Sequence, residues 1–413
     1  LSFRVLEGEV FFLGRALGEG ERAFAPKDRV YALKALVPSR LEISGDGRVE
    51  EARPEEEAID EWRELCERLL SRGARSVVVL GGTDSCKSTF TAFLANSALS
   101  RGLRVAIIDA DVGQIDVGIP GTISLALAER YVCSLRELEP RKCYFVGSKS
   151  PAGREHAVIC ALSYLYSRAR ELGADLVVVN TDGWIAGYRA RAYKLSVIKV
   201  LKPDAVVVME GRGEAEPIYR ALERAHSGAY LAKTPVQEGK DRELRRERRE
   251  LAFLDFLISS KRKKVSLERA SFLDLPLFCG EEVSREERER VSKVLGRSLA
   301  HCERLGDSIV AVVEGGARLG EAEAAAAKEV LGIKQILLIP ERALRGALVG
   351  LFGEDFECLG AGVVVSVDYE KRSAHLLAQP DLEEEAVRFL ELGELRVLPD
   401  GQEAPLGRLV YSY

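Results

Sequence analysis

Hydrophobic and polar positions change rhythm three times along the chain. Residues 1–50 carry short apolar runs, Val5, Val10-Phe11-Phe12-Leu13 and Val30-Tyr31-Ala32-Leu33, broken by Gly8, Gly14, Gly18, Gly20 and Pro26. Brief apolar runs between turn-forming residues predict strands. Residues 51–58 are acidic and polar and read as a linker, and over 57–72 Ile59, Trp62, Leu65, Leu69 and Leu70 fall at helical spacing. Between 74 and 260 continuous apolar runs alternate with helical patterns. The runs Ser76–Leu80, Arg104–Asp109, Leu176–Asn180 and Ala205–Met209 predict strands buried on both faces of a parallel sheet, with helices over 87–101, 153–172 and 188–200. From about 262 strand-like runs (Ser308–Glu314, Gln335–Ile339, Gly362–Tyr369, Leu395–Leu398) mix with helical stretches between glycine-rich turns. The expected fold is α/β: a central doubly wound parallel sheet, flanked by a small β-rich N-terminal domain and an α+β or small-barrel C-terminal domain. The expected boundaries are 1–55, a linker helix 56–73, 74–261 and 262–413.

Composition narrows the function classes. The 413 residues are 46% hydrophobic and 30% charged, with a formal net charge of −5. No global polycation exists to hold nucleic acid, so any such site is a local basic patch. The eight cysteines include no C-x-x-C pair, which argues against zinc-knuckle and thioredoxin-type sites and for mostly buried, reduced thiols. His156, His226, His301 and His375 are dispersed, and no histidine metal site is assigned. No apolar stretch reaches membrane-span length and no leader pattern opens the chain. These features predict a soluble protein of the cytoplasm, or of the nucleus if the source has one.

The chemistry is concentrated at the ends of the central strands, where ligands bind in such sheets. The first strand breaks into Gly81-Gly82-Thr83-Asp84-Ser85-Cys86-Lys87-Ser88-Thr89, between a strand and a helix. That is the context of a phosphate-binding loop, G-x-x-x-x-G-K-[ST], whose backbone N–H groups cradle phosphates. Lys87 would reach the β/γ-phosphates and Ser88 would sit on Mg²⁺. Cys86 stands where the rule wants glycine. The next strand ends in Asp109-Ala110-Asp111-Val112-Gly113-Gln114. Alternation along a strand points Asp109 and Asp111 the same way. One would contact Mg²⁺ through its outer shell and the other would take a proton from an attacking hydroxyl, unless one only caps a turn. A third strand ends in Asn180-Thr181-Asp182-Gly183-Trp184, and Trp184 is either a stacking surface for a base or a core anchor. The basic residues Arg189, Arg191, Lys194, Lys199 and Lys202 follow. They could guide a phosphate backbone, and a solvated helix face explains them nearly as well. Residues 240–250 are arginine-rich, with Arg242/Arg246 and Arg245/Arg249 each sharing a helix face. They read as a phosphate-clamping lid, with a surface helix of ion pairs as the alternative.

Four motifs together resemble the polynucleotide 5′-hydroxyl kinases of the Clp1/Grc3/Nol9 type, most closely an archaeal member. They are Thr83-Asp84 before Lys87-Ser88-Thr89, Asp109 to Gln114 followed by Pro120-Gly121, Phe145-Val146-Gly147-Ser148-Lys149-Ser150-Pro151, and Thr181 to Trp184. The resemblance implies an enzyme that transfers the γ-phosphate of ATP to the 5′-hydroxyl of RNA, and often DNA, in RNA processing, with protein partners in that process. It implies Asp111 as general base and Arg245 and Arg249 as lid arginines. Lys87, Ser88 and Asp109 would handle phosphates and Mg²⁺, and Gln114, Gly147, Ser150, Thr181, Gly183 and Trp184 would face the nucleic acid. Cys86 departs from the family pattern. A Cβ there costs on the order of 1 kcal/mol if the backbone is left-handed. A tolerated replacement is the favoured reading; the others are weaker ATP binding or slower turnover, and a thiol whose oxidation or alkylation blocks ATP.

Two alternatives compete. A partition-type ATPase would carry a second lysine early in the loop, where Gly82 stands, and a GTPase would carry N-K-x-D, which is missing. An ATP-bound scaffold without catalysis is argued against by Lys87, Asp111 and the arginine-rich segment.

Overall fold

The computed structural model describes residues 1–26, 30–235 and 242–413, and of Arg242 only the backbone. Residues 240–241 of the arginine-rich segment lie outside the described residues. The chain divides into two compact units, residues 1–143 with 149–246, and residues 144–148 with 247–413.

The first unit begins with two three-stranded sheets built from residues 2–44. Helix α1 (Ile59–Ser71) then buries the residues that helical spacing selects, Ile59, Trp62, Leu65, Leu69 and Leu70. Trp62 packs edge-on against Phe90 and Phe93, with ring centroids 5.4 and 5.6 Å away. The central sheet comprises β1 (Ser76–Gly81), β2 (Val105–Ala110), β3 (Thr122–Ala128), β4 (Pro140–Phe145), β5 (Leu176–Thr181), β6 (Ala205–Glu210) and β7 (Ala229–Lys233), in the order β4-β3-β2-β5-β1-β6-β7. Strands β2, β5, β1, β6 and β7 are parallel. Each of the first four is a nearly unbroken apolar run because both faces are covered. The intervening helices are α2 (Lys87–Leu99), α3 (Glu155–Glu171), α4 (Gly187–Leu201) and α5 (Glu216–Ala225).

The wholly parallel sheet expected from the sequence needs one correction. Strand β3 runs antiparallel to β2. It joins β2 across the loop 111–121, which is too short for a helical crossover, so a hairpin-like return is the available geometry.

The topology places the chemistry. Strand β5 lies between β1 and β2, so the turn after β1, the aspartates after β2 and the tryptophan segment after β5 leave three adjacent strands at the same sheet edge.

The second unit stacks two sheets. One runs in the order Lys261–Ser266, Ser373–Ala378, Cys358–Asp368, Ala347–Phe352, Phe389–Val397, Ser271–Phe272. The other runs Glu281–Glu282, Leu299–Leu305, Ser308–Val313, Gln335–Pro340, Tyr411–Ser412. Val310, Val312 and Ile339 of the second sheet share a core with Val349, Leu376 and Leu390 of the first. Its other face packs on helices Arg285–Leu295 and Glu321–Leu331. Helix α6 (Arg242–Ser259) contains the point where the chain passes from one unit to the other.

No disulfide joins the eight cysteines. The expectation that they are mostly buried is corrected. Cys66, Cys302 and Cys358 are buried, Cys160 and Cys279 are exposed, and Cys86, Cys133 and Cys143 are intermediate. A small side chain with a weak donor is tolerated on either side of the boundary. Among the described residues, no helix is long and apolar enough to cross a membrane.

Candidate active site

The turn after β1 wraps tightly. Gly81 and Gly82 are buried, and the Glu214 carboxylate lies where a Cβ on Gly82 would go. The Ser85 hydroxyl donates to the Gly82 carbonyl (2.8 Å), and the Thr234 hydroxyl donates to the Ser85 carbonyl (3.3 Å). Asp84 and Cys86 both adopt left-handed backbone, at φ 59° and 60°. Asp accepts this conformation comparatively well, whereas at Cys86 the Cβ carries the strain that glycine would not. Cys86 is the N-cap of α2, so Lys87, Ser88 and Thr89 form its first turn with their N–H groups at the mouth of the loop.

Lys87 is only 6% exposed, and its ammonium donates to the Gly82 carbonyl at 2.5 Å. Burial lowers its pKa; the nearby Asp111 charge opposes that most strongly.

Asp109 is wholly buried at the end of β2. One carboxylate oxygen accepts from the backbone N–H groups of Asp116 (2.7 Å) and Val117 (3.1 Å). The other accepts from the Asn180 amide (3.0 Å), which also reaches the Ser88 hydroxyl (3.3 Å). Burial, reinforced by the charges of Asp116 and Asp111, raises the Asp109 pKa. Asp111 lies just past the strand, and one of its oxygens accepts from the N–H groups of Gly113 (3.2 Å) and Gln114 (3.0 Å). Burial pushes its pKa up to about 6 against the pull of Lys87.

The Ser88 hydroxyl and the Asp109 carboxylate offer oxygen acceptors of the kind a hard divalent cation takes, and the Asn180 amide nitrogen bonds both. The Asn180 side-chain oxygen is buried without a hydrogen-bond partner. Among the described residues no group of three His, Cys, Asp or Glu side chains is arranged to hold a metal. The set therefore fits Mg²⁺ held jointly with nucleotide phosphates, not in a closed protein cage.

The segment after β5 leans on the phosphate loop. The Thr181 hydroxyl donates to the Val79 carbonyl (2.8 Å). A Cβ on Gly183 would come within 2.8 Å of the Thr83 nitrogen and 2.9 Å of its Cα. Trp184 is half-buried and stacks on Tyr193, with centroids 5.8 Å apart and planes at 25°. The Arg189 guanidinium lies 6.0 Å from the Trp184 ring centre and pairs with Glu155 (2.7 Å).

The remaining expected site residues separate. The Gln114 amide donates to the Arg245 carbonyl (3.1 Å), and the Arg245 guanidinium lies 3.9 Å from the Asp84 carboxylate. Ser150 accepts from the Ala152 N–H (3.2 Å) in a local turn of the first unit. Gly147 belongs to the second unit, where it approaches Gly393 so closely that a Cβ would lie 2.7 Å from that residue's Cα. Arg249 also belongs to the second unit, where its guanidinium holds the buried Glu403 carboxylate at 2.9 Å.

Set against known proteins, this arrangement has clear relatives. A polyribonucleotide 5′-hydroxyl-kinase of Pyrococcus furiosus is 32% identical over 340 residues, spanning 81% of this chain and 92% of the relative. The chain belongs to the polyribonucleotide 5′-hydroxyl-kinase family. Another member, from Methanocaldococcus jannaschii, is 30% identical over 339 residues, spanning 80% of this chain and 89% of the relative. The family model described as the P-loop of the mRNA cleavage and polyadenylation factor CLP1 matches residues 81–258. Clp1p as solved in complex with Pcf11p shares the fold, with a TM-score of 0.61 over 96% of this chain and 93% of that one at 12% identity. The chain is thus a P-loop enzyme of the kinase class.

In this kinase Asn180, Asp182 and Tyr193 join the site although nothing in their spacing marks them. Lys194, expected among basic residues that could guide a phosphate backbone, is instead fully buried and cannot follow one. The signal was available. Ala190, Tyr193, Lys194, Val197, Ile198 and Leu201 form the buried stripe of α4 at spacings of three and four, and a lysine inside such a stripe needs a partner.

Proposed function

We propose that this kinase transfers the γ-phosphate of ATP to the 5′-hydroxyl end of RNA. The observation that carries the reading is the convergence of the phosphate loop, Asp109–Asp111 and Thr181–Trp184 on three adjacent strand ends of one sheet. Lys87 releases the Gly82 carbonyl and turns to the β/γ-phosphates, while the N–H groups of the loop and of α2 hold the phosphate oxygens. Asp111 accepts the proton of the 5′-hydroxyl as its oxygen bonds to the γ-phosphorus and the bond to the β-phosphate oxygen breaks, leaving ADP. Ser88 and Asp109, steadied by Asn180, would hold Mg²⁺, which supplies charge neutralisation at the phosphates. Trp184 offers its face to a terminal base, and Thr181 and Gly183 fix the turn that presents it. Arg245 faces the loop and takes charge on the transferring phosphoryl group. Gln114 anchors the backbone that carries Arg245.

The matching family model is described as that of an mRNA cleavage and polyadenylation factor, and the solved Clp1p is bound to Pcf11p. Protein partners in RNA processing are accordingly part of the proposal. The second reading, an ATP-bound scaffold, draws on the strained Cys86 and on the Lys87–Gly82 bond. Incubation with γ-labelled ATP, Mg²⁺ and a 5′-hydroxyl oligoribonucleotide separates them. Label on the 5′ end that is lost in Lys87→Ala and Asp111→Asn supports the kinase. ATP binding without transfer supports the scaffold.

A further inference from the structure

Asp182 is the unassigned residue of the Thr181–Trp184 turn, and it is 2% exposed. One of its oxygens accepts from the Trp184 backbone N–H at 2.9 Å. The other accepts from the Tyr193 hydroxyl (2.9 Å) and from the Lys194 ammonium (2.7 Å). Lys194 also donates to the Asp182 carbonyl at 2.9 Å. Two neighbouring residues of α4 thus grip both the side chain and the main chain of the turn. Tyr193 meanwhile forms the surface on which Trp184 stacks. A fully buried lysine needs a compensating charge, and Asp182 supplies it.

The same carboxylate lies in the electrostatic surroundings of the phosphate-loop lysine. Asp111, Lys194, Asp182 and Asp84 all act on the Lys87 ammonium. An uncompensated Asp182 would therefore compete with nucleotide phosphates for the Lys87 ammonium. Its pairing with Lys194 removes that competition.

We propose that Lys194 is a positioning residue of the transfer site: its buried ion pair with Asp182 fixes the Trp184 turn and keeps Asp182 from capturing Lys87. The inference rests on the kinase reading above, and it goes beyond it by assigning work to two residues that touch neither substrate.

Lys194→Met and the double variant Lys194→Met/Asp182→Asn, compared with wild type, test it. The readouts are the affinity for a fluorescent ATP analogue, and KM and kcat for a 5′-hydroxyl oligoribonucleotide. Lys194→Met leaves a free carboxylate, so analogue affinity falls and KM for RNA rises, each by about tenfold. The double variant buries no unpaired charge, and its analogue affinity returns to within about twofold of wild type. An unchanged Lys194→Met, or a double variant that binds the analogue as poorly as the single one, overturns the proposal. If Lys194→Met melts below the assay temperature, KM of the double variant for RNA decides alone: with the ion pair gone the turn is no longer fixed, so a rise of about tenfold supports the idea and a wild-type value refutes it. A wild-type protein that labels no RNA would overturn the kinase reading, while the analogue affinities would still decide the role of Lys194.

Discussion

Gly183→Ala is expected to uncouple the phosphate loop from the Thr181–Trp184 turn while leaving every charged group in place. The added Cβ would lie 2.6 Å from the Thr83 hydroxyl, 2.8 Å from its nitrogen and 2.9 Å from its Cα, each at least half an ångström inside the 3.4 Å where ordinary contact begins. The hydroxyl can rotate away. The nitrogen and Cα are backbone of the phosphate loop, so either the loop or the Trp184 turn must move. Overpacking of this kind costs about 1–3 kcal/mol, a fall of several degrees in melting temperature. The catalytic effect is larger, because misplacing reacting groups by an ångström costs on the order of a hundredfold. The assay is transfer from γ-labelled ATP to a 5′-hydroxyl oligoribonucleotide at a temperature where both proteins are folded by circular dichroism. kcat/KM for RNA should fall by about ten- to a hundredfold, with a smaller loss of ATP affinity. A variant with wild-type kinetics and wild-type melting would refute the claim that Gly183 is needed for close approach.

Four further outcomes follow from the same geometry. As the base of the proposed transfer, Asp111 must be ionised, and burial pushes its pKa up to about 6; on that proposal the transfer rate falls about tenfold per pH unit below that value. The sign for stability is opposite: the folded state keeps this proton over a range, roughly pH 4 to 6, in which an unfolded Asp gives it up, so this group favours the fold as pH falls. On acidification the transfer assay should lose activity before circular dichroism shows any loss of structure. Trp184→Ala should raise KM for RNA by about five- to a hundredfold, the equivalent of one lost stacking contact, with ATP-analogue affinity unchanged; an equal loss in both would recast Trp184 as a core anchor. Glu403→Gln leaves the Arg249 guanidinium without its buried carboxylate, so melting should drop, with a cost near 3 kcal/mol, while kcat changes little. A large fall in kcat at unchanged melting would move Arg249 to the phosphates. Cys86→Gly should be more stable than Cys86→Ala by about 1 kcal/mol, because only glycine relieves the left-handed backbone at φ 60°; the reverse order in thermal melts would remove the strain argument.

The chemistry of the central strands was legible because each strand is a short apolar run that ends in polar residues, and a parallel sheet collects such ends on one edge. Residue spacing alone therefore pointed to Lys87, Ser88, Asp109, Asp111 and Trp184. The order of those ends was a different matter. That β5 lies between β1 and β2 depends on long-range strand pairing, to which a local pattern is blind. The antiparallel β3 went unseen for the same reason, since its apolar run gives no direction.

Arg245 and Arg249 illustrate the limit in side chains. Four residues apart on one helix, they share a face and look interchangeable in sequence. Tertiary structure gives Arg245 to the phosphate-loop unit and Arg249 to Glu403, which lies more than 150 residues further along the chain. Lys194 shows the converse. Its place in the apolar stripe of α4 already required burial, but its partner could be found only once the strand end and the helix were folded together. The sequence by itself determined which residue types gather at the strand ends, because backbone turns and strand ends are local. Which charge neutralises which was decided by the tertiary structure, because a buried ion pair depends on the distance between chain segments that spacing does not encode.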